Sequence, residues 1–175
     1  MNRLKGFTLI ELMVTISIAA ILLTVGAPSL NSLYQNTRAD SGIKQIHQAL
    51  YFARSHAISL GQNITVCPKN GSQCNNGKNN WKNGMIVFID SDRNDVPDTP
   101  QSILIHVSAF HDKDIVQFNR AISIKFQPDG TTFGAAGTLT YCPDEADNES
   151  SKAVIINFAG RIRYSQDAVI TCSTN

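Results

Sequence analysis

The stretch FTLIELMVTISIAAILLTVGA, residues 7–27, decides the fold of this chain. It contains neither Lys nor Arg, and a helix of this length, at about 1.5 Å per residue, spans the roughly 30 Å hydrocarbon core of a bilayer. Arg3 and Lys5 precede it and no basic cluster follows closely. Because basic residues tend to stay in the cytoplasm, we expect one membrane-spanning helix with the rest of the chain exported.

A carboxylate interrupts this apolar stretch: Glu11 follows only four of its residues. A secretory signal peptide would also have a basic start and an apolar core, and VGAPS, residues 25–29, could serve as its cleavage site. A charge in lipid costs several kcal/mol unless it is paired, which argues for a functional Glu11 with a partner. A side chain that only reaches back to the membrane interface is the less favoured explanation.

The segment KGFTLIELMVTISIAAIL resembles the class III signal and N-terminal helix of type IV pilins and type II secretion pseudopilins. A basic leader ends in Gly6, Phe7 follows, and Glu11 lies at the fifth position of the mature chain. The resemblance implies that a prepilin peptidase cleaves between Gly6 and Phe7 and that Phe7 is then N-methylated. It also implies that the helix anchors the chain in the membrane and later forms part of the filament core. There the new α-amino cation can pair with Glu11 of a neighbouring subunit.

The remaining sequence predicts the second half of a long helix and a sheet domain. Apolar residues recur at helical spacing up to Leu60, and Gly61 is the expected stop. Short apolar segments then alternate with turn residues, which predicts these strands: NITVC, GMIVFID, SILIHVSAF, ISIKFQPDG, GTLTYC, AVIINF, RIRYS and AVITC. We therefore predict an α+β type IV pilin fold, in which a long N-terminal helix packs against an antiparallel β-sheet domain.

Four regions follow from this prediction: a leader (1–6), a membrane and filament-core helix (7–28), the second half of the helix (29–61) and the sheet domain (62–175). The chain has four cysteines, an even number in an exported domain, which favours disulfides over metal binding. Three pairings are open, and we favour Cys67 with Cys74 and Cys142 with Cys172. A zinc site of all four cysteines is the alternative, but no CxxC spacing supports it.

The segments WKNGMIVFIDSDRNDVPD (81–98) and IKFQPDGTTFGAAGTLTYC (124–142), followed by AVIINFAGRIR, resemble the soluble domain of GspH/FimT minor pilins and pseudopilins. The resemblance implies one of three functions: a type II secretion pseudopilin, a structural minor pilin that primes pilus assembly, or a FimT-type minor pilin. The last kind binds DNA for uptake in naturally competent bacteria through a glycine-arginine-any-arginine motif. Gly160, Arg161 and Arg163 match every fixed position of that motif.

The chemistry of this motif can be argued from the residues themselves. In a strand, Arg161 and Arg163 would share one face about 6 to 7 Å apart, where guanidiniums can engage neighbouring phosphates, while Ile162 and Tyr164 would anchor the other face. Alternating Arg and apolar residues are also what any half-buried strand contains. Further cations that could join the pair are Lys152, Lys69, Lys78 and Lys82. The acidic segment DEADNE, residues 144–149, would repel DNA on the same face.

The overall charge offers no general attraction for anions. The full chain has a net charge of +1, and loss of Arg3 and Lys5 with the leader leaves thirteen basic against fourteen acidic side chains, a net charge of −1. Any binding of nucleic acid must therefore be local. The segment DSDRNDVPD, residues 90–98, begins like a calcium loop but lacks its Gly and its final Glu, so we read it as an acidic hairpin turn.

Nothing in the sequence predicts an enzyme, a cofactor or a metal, because the histidines lack ligand spacing and no nucleophile elbow is present. The function we expect is a minor type IV pilin that binds extracellular double-stranded DNA for natural transformation. Its partners would be double-stranded DNA, major and other minor pilins, prepilin peptidase and the pilus assembly machinery. It would lie in the inner membrane with its C-terminal domain in the periplasm, and then at the pilus tip.

Overall fold

The computed structural model describes residues 7–75, 77, 80–120 and 123–173, and of residues 25–28 the backbone only. The elements follow one another as α1 (Leu9–Leu60), β1 (Ile64–Asn70), β2 (Gln73–Cys74), a 3-10 helix (Asn80–Asn83), β3 (Met85–Ile89), a second 3-10 helix (Pro100–Ser102), β4 (Ile103–Val107), β5 (Ile115–Phe118), β6 (Ile124–Phe126), β7 (Gly137–Cys142), β8 (Lys152–Ile156) and β9 (Ile162–Tyr164). A long helix followed by antiparallel strands confirms the predicted fold class.

The chain divides into two units, Met1–Gln35 and Asn36–Asn175. The first contains the beginning of α1, whose apolar side chains from Leu9 to Leu23 are exposed. By length and composition this part of the helix can cross a membrane. Exposed Leu and Ile over so long a stretch are unfavourable in water, which is consistent with an apolar environment for this unit.

The second unit has one main core between the end of α1 and the strands. The helix contributes a buried stripe at helical spacing: Ala39, Ile43, Ile46, Ala49, Leu50, Ala53 and Ala57. Val66, Val87, Phe118, Leu139 and Val154 meet it from five different strands. Gly61 has a φ of 65°, which favours glycine, and the helix ends immediately before it, as predicted.

The strands form two antiparallel sheets. The five-stranded sheet has the order β2-β1-β3-β4, with β6 also paired to β1, and the four-stranded sheet has the order β5-β7-β8-β9. In the second sheet β5 and β9 are therefore the opposite edges. The edge strand β9 carries the second half of the motif singled out in the sequence, Ile162 and Arg163.

Two strand predictions were wrong. Ile115–Phe118 forms β5, which the sequence analysis missed, whereas the segment AVITC, residues 168–172, forms no strand. Instead, the end of the chain is held by side chains: Gln117 Nε2 donates to the carbonyl oxygen of Ser173 (2.8 Å), and the amide of Ser173 donates to Gln117 Oε1 (3.0 Å). Side-chain contacts have replaced the ladder of backbone bonds that a strand would need.

Two disulfides join Cys67 to Cys74 and Cys142 to Cys172, the pairing favoured from the sequence. The first closes a short loop at the end of β1. The second spans 30 residues and ties the C-terminal segment to β7. A cross-link over such a loop restricts the unfolded chain and stabilises the folded one by roughly 3 to 4 kcal/mol.

Candidate functional site

The motif Gly160 to Arg163 lies on the hairpin that joins β8 to β9. Gly160 N donates to the carbonyl oxygen of Asn157 (2.9 Å), and Asn157 N donates to the carbonyl oxygen of Arg161 (3.2 Å). Arg161 N donates to Asn157 Oδ1 at 2.8 Å. Asn157 therefore closes the turn through both its backbone and its side chain, as Asn often does in tight turns.

Gly160 is buried and has a φ of 70°, a conformation that glycine adopts without strain. A Cβ at this position would collide with the carbonyl oxygen of Gly130, in a neighbouring turn. The same two turns are joined by a hydrogen bond from Thr132 N to the carbonyl oxygen of Phe158 (3.0 Å). Gly160 is thus required by the backbone, and it shapes the turn that carries the two arginines.

Arg54, on α1, holds both of these turns and was not identified from the sequence. Its Nε donates to the carbonyl oxygen of Gly130 (3.1 Å), and one terminal nitrogen donates to the carbonyl oxygen of Ala159 (3.2 Å). A guanidinium has five N–H donors, so Arg54 keeps unused donors and a full positive charge beside the hairpin. No local sequence signal could have revealed it, because its acceptors are carbonyls far along the chain.

Arg161 and Arg163 are both exposed, while Ile162 between them is half-buried against the core. In the part of the chain that the structure describes, neither guanidinium forms an ion pair. The strand begins at Ile162, so Arg161 closes the turn and does not belong to the strand, contrary to the sequence-based expectation. Arg163 lies opposite Ile155 of β8. Both cations are free to meet an external anion.

Tyr164 was expected to anchor β9 in the core, and this was wrong. Its side chain is 45% exposed and stacks on the ring of His47, on α1, with centroids 4.6 Å apart and planes inclined by 16°. His47 stacks in turn with Tyr51, with centroids 6.5 Å apart. Three rings from α1 and β9 thus form a continuous stack on the helix side of β9, whereas Arg163 projects from the opposite face of the strand.

Lys152 lies at the start of β8, near the end of β9. Its Nζ is 3.8 Å from Asp40 Oδ1, and the side chain is 39% exposed. Together with Lys44 and Tyr164 it lines a small cavity. Lys152 is therefore brought near β9, as the sequence analysis suggested, but part of its charge is balanced by Asp40.

The remaining predicted lysines do not extend this surface. Lys69 lies in β1, in the five-stranded sheet, and Lys82 lies in the 3-10 helix that contacts β1 and β5. β5 and β9 are opposite edges of the four-stranded sheet, so this helix contacts the strand farthest from β9 in that sheet. Lys78 lies outside the described residues.

An acidic region borders the hairpin at the end away from its turn. Asp147, Glu149 and Asp167 line one cavity, and Ile170 belongs both to it and to the cavity of Lys152. The acidic segment noted in the sequence is therefore near the far end of β9. A polyanion would be attracted to the turn end of the hairpin and repelled from the other end.

One cluster of potential metal ligands is present among the described residues: His111, Asp114 and Asp144. Arg38 already lies between the two carboxylates, 2.9 Å from Asp114 and 2.7 Å from Asp144. Tyr141 donates a further bond to Asp114, and burial together with that bond raises the pKa of the Tyr141 hydroxyl, which stays protonated. Arg38 thus bridges the two carboxylates, and a metal cation there would have to displace it.

The residues expected to direct processing lie at the N-terminus. Gly6 is outside the described residues, and Phe7 is 76% exposed. Glu11 lies in the first turn of α1, where its amide donates to Thr8 Oγ1 (3.3 Å) and where the helix dipole favours a negative charge. Its carboxylate forms no ion pair within the described residues, so a partner for it must come from elsewhere.

Comparison with solved structures shows the same fold in bacterial filament proteins. The crystal structure of the type IV minor pilin FimU of Pseudomonas aeruginosa matches with a TM-score of 0.59 and 17% identity, over 78% of this chain and 98% of that one. The minor pseudopilin EpsH of the Vibrio cholerae type 2 secretion system matches with a TM-score of 0.51 and 13% identity, over 73% and 96%. Identities this low show the fold alone.

No curated protein matches the chain. A family model described as "Type II transport protein GspH" matches residues 43–160, and one described as "Prokaryotic N-terminal methylation motif" matches residues 1–27. The first match ends immediately before Arg161, so it includes the glycine of the motif but neither arginine. Because it covers well over half of the chain, the chain belongs to the GspH family of minor type IV pilins and pseudopilins.

Proposed function

We propose that this minor pilin binds extracellular double-stranded DNA through Arg161 and Arg163, for DNA uptake in natural transformation. The proposal rests above all on one observation: both guanidiniums are exposed and without an ion pair among the described residues, although acidic side chains are as common in the chain as basic ones. Two exposed guanidiniums two residues apart, at a turn held by hydrogen bonds, are available to phosphates, to which Arg can donate paired N–H bonds.

The way in which the hairpin would hold DNA follows from its parts. Guanidiniums bind phosphate oxygens through paired N–H donors, and a rigid support reduces the entropy lost on binding. Gly160 and Asn157 fix the turn, and Arg54 attaches it to α1. Contacts of this kind reach the DNA backbone and read no bases, so binding should be independent of sequence.

Arg54 adds a third positive charge next to the same turn, and Lys152 adds a partly balanced one. We therefore expect the number of phosphates neutralised to be small, about two to four, with weak binding that falls steeply as salt is raised. The acidic region around Asp147, Glu149 and Asp167 should orient the duplex across the turn end of the hairpin.

Salt-dependent binding tests this proposal directly. The full chain in non-ionic detergent is titrated with unrelated DNA duplexes over a range of salt concentrations. Replacing both arginines, Arg161→Gln with Arg163→Gln, should weaken binding to every duplex alike and reduce the slope of log affinity against log salt by about two, since each lost phosphate contact removes about one counterion.

A matched variant separates local from overall charge. Lys69→Gln with Lys82→Gln removes an equal number of positive charges outside the four-stranded sheet, and under this proposal the affinity and the salt slope stay close to those of the parent. Equal loss in both double variants would mean that only net charge matters. Parent-like binding by the arginine variant would show that the motif is not the site.

The alternative functions are structural: a minor pilin that primes pilus assembly, or a type II secretion pseudopilin. Exposed apolar residues along the start of α1 favour assembly into a filament in every case. In the host, the double arginine variant should lose transformation while pili still assemble. Loss of pili together with transformation would favour the priming role, and loss of secretion would favour the pseudopilin.

A further inference from the structure

A stripe of two aromatic rings between two cationic side chains runs along one face of α1. Lys44, His47, Tyr51 and Arg54 are three, four and three residues apart, spacings that place side chains on the same helix face over about 15 Å. Tyr51 is 62% exposed and Lys44 is exposed. The stripe therefore has a cation at each end and two rings between them.

The stripe lies against the hairpin at two points. Tyr164, next to Arg163 in the chain, stacks on His47 with centroids 4.6 Å apart. Arg54 donates to the carbonyl oxygen of Ala159, two residues before Arg161. Tyr164 faces α1 and Arg163 projects from the opposite face of β9. Because β9 is an edge strand, the rings and the motif arginines border the same edge of the sheet.

A groove of about 400 Å³ opens beside these rings, lined by His47, Gln48, Tyr51, Phe52, Ser55 and His56. Phe52 and His56 form a second stacked pair on its wall, with centroids 3.8 Å apart. The groove has flat rings on its walls and no acidic side chain among its lining residues. Asp40, the acid nearest the stripe in the chain, lies four residues before Lys44 and is 3.8 Å from Lys152.

We infer that this stripe is a stacking platform for unpaired bases, so that the protein engages single-stranded DNA through its rings while Arg161 and Arg163 hold the phosphates. Exposed rings flanked by cations are a surface that single-stranded DNA binds, because every base offers a π face and the backbone follows the cations. Lys44 and Arg54 at the two ends of the stripe favour a polyanion over a neutral protein surface as its partner. The inference rests on the proposed function, since it needs the arginines to contact phosphates.

A comparison of two single strands tests the platform. The full chain in non-ionic detergent is titrated with labelled oligothymidylate and with an abasic oligonucleotide of equal length, which has the same phosphates but no bases. The parent should bind oligothymidylate on the order of tenfold more tightly. Tyr51→Leu with Tyr164→Leu, which keeps apolar side chains without rings, should bring the ratio close to one. Tyr51→Phe with Tyr164→Phe should preserve it.

The outcomes distinguish this inference from the proposed function. A ratio near one in the parent, with binding still dependent on Arg161 and Arg163, overturns the platform and leaves the arginine site intact. Absence of binding to either single strand, while duplexes still bind through Arg161 and Arg163, also overturns the platform and leaves the proposed function intact. If the leucine variant keeps the ratio but no longer enters pili, the face is a contact between subunits and the inference is wrong.

Discussion

At the scale of single residues, the glycine and the two arginines of the motif have different roles. Gly160 is buried and shapes the turn, whereas Arg161 and Arg163 are exposed and charged. A substitution at the glycine should therefore act through the fold, and one at an arginine should act through binding alone. The two effects can be measured separately, because stability and DNA affinity are independent readouts.

Replacing Gly160 by Ala should destabilise the second unit by about 2 to 4 kcal/mol. The left-handed conformation costs a residue with a Cβ about 1 to 2 kcal/mol, and the collision with the carbonyl oxygen of Gly130 adds displacement of the neighbouring turn. Thermal unfolding of the full chain in detergent, followed by circular dichroism, measures the loss.

Gly71→Ala provides the matched control for this prediction. Gly71 has a φ of 63°, close to that of Gly160, but an added Cβ there would meet no atom within 4 Å. It should lose only the conformational part, about 1 to 2 kcal/mol. If the two variants were equally stable, the contact between the turns would contribute nothing.

The sequence predicts the arginine pair well and Arg54 not at all. Arg161 and Arg163 alternate with Ile162, and this pattern alone indicates that they are exposed. Arg54 lies beside the buried stripe of α1, where an exposed Arg is unremarkable, and its role arises from the carbonyl oxygens of Gly130 and Ala159. Contacts between residues so far apart in the chain leave no local pattern.

At the scale of elements, the alternation of apolar and polar residues between turn residues predicted most of the strands. It failed where a polar residue of a strand is buried or where apolar residues form no strand. In β5, Gln117 is buried because its amide bonds Ser173, so the segment does not look like a strand with one polar face. In AVITC the apolar letters suggest a strand, yet Val169 is 79% exposed and the disulfide of Cys172 holds the segment. A disulfide can hold a segment in place without the backbone hydrogen bonds of a strand, and the local composition does not reveal this.

The packing of α1 on the four-stranded sheet depends on a glycine in the helix. Gly42 lies under Tyr141, and a Cβ there would overlap the tyrosine ring. Gly42→Ala would stabilise an isolated helix by about 1 kcal/mol. Here we expect a net loss of about 1 to 3 kcal/mol, because overpacking outweighs helix propensity. Chemical unfolding followed by circular dichroism gives the value.

Ser41→Ala is the control for the helix-propensity effect, since Ser41 is exposed on the neighbouring position of the same helix. It should be neutral or stabilise by a few tenths of a kcal/mol. A Gly42→Ala variant as stable as Ser41→Ala would mean that the ring of Tyr141 moves aside at little cost.

At the scale of the whole molecule, the position of the charged side chains matters more for DNA binding than the net charge does. Thirteen basic and fourteen acidic side chains in the expected mature chain would give no long-range attraction for DNA. The turn end of the hairpin nevertheless carries Arg54, Arg161 and Arg163, and the acidic side chains Asp147, Glu149 and Asp167 lie at the other end. Such a dipolar arrangement suits the proposed binding of DNA, because it would attract a polyanion to one end of the hairpin only.

The last prediction concerns the first unit of the chain and its assembly into a filament. Glu11 lies in an exposed apolar helix and forms no ion pair among the described residues. If cleavage after Gly6 leaves an α-amino cation on Phe7, that cation needs a counterion once the helices pack together. Removing one partner of a buried ion pair costs about 3 to 5 kcal/mol.

Glu11→Leu should therefore be cleaved and methylated like the parent but be at least about a hundredfold depleted from sheared pili, since 1.4 kcal/mol corresponds to a factor of ten. Mass spectrometry of the N-terminal peptide reports cleavage and methylation, and immunoblots of pili and membranes report assembly. Glu11→Asp retains the charge and should assemble better than Glu11→Leu. Parent-like assembly of the leucine variant would show that the cation is neutralised by another group, because an apolar side chain cannot compensate it.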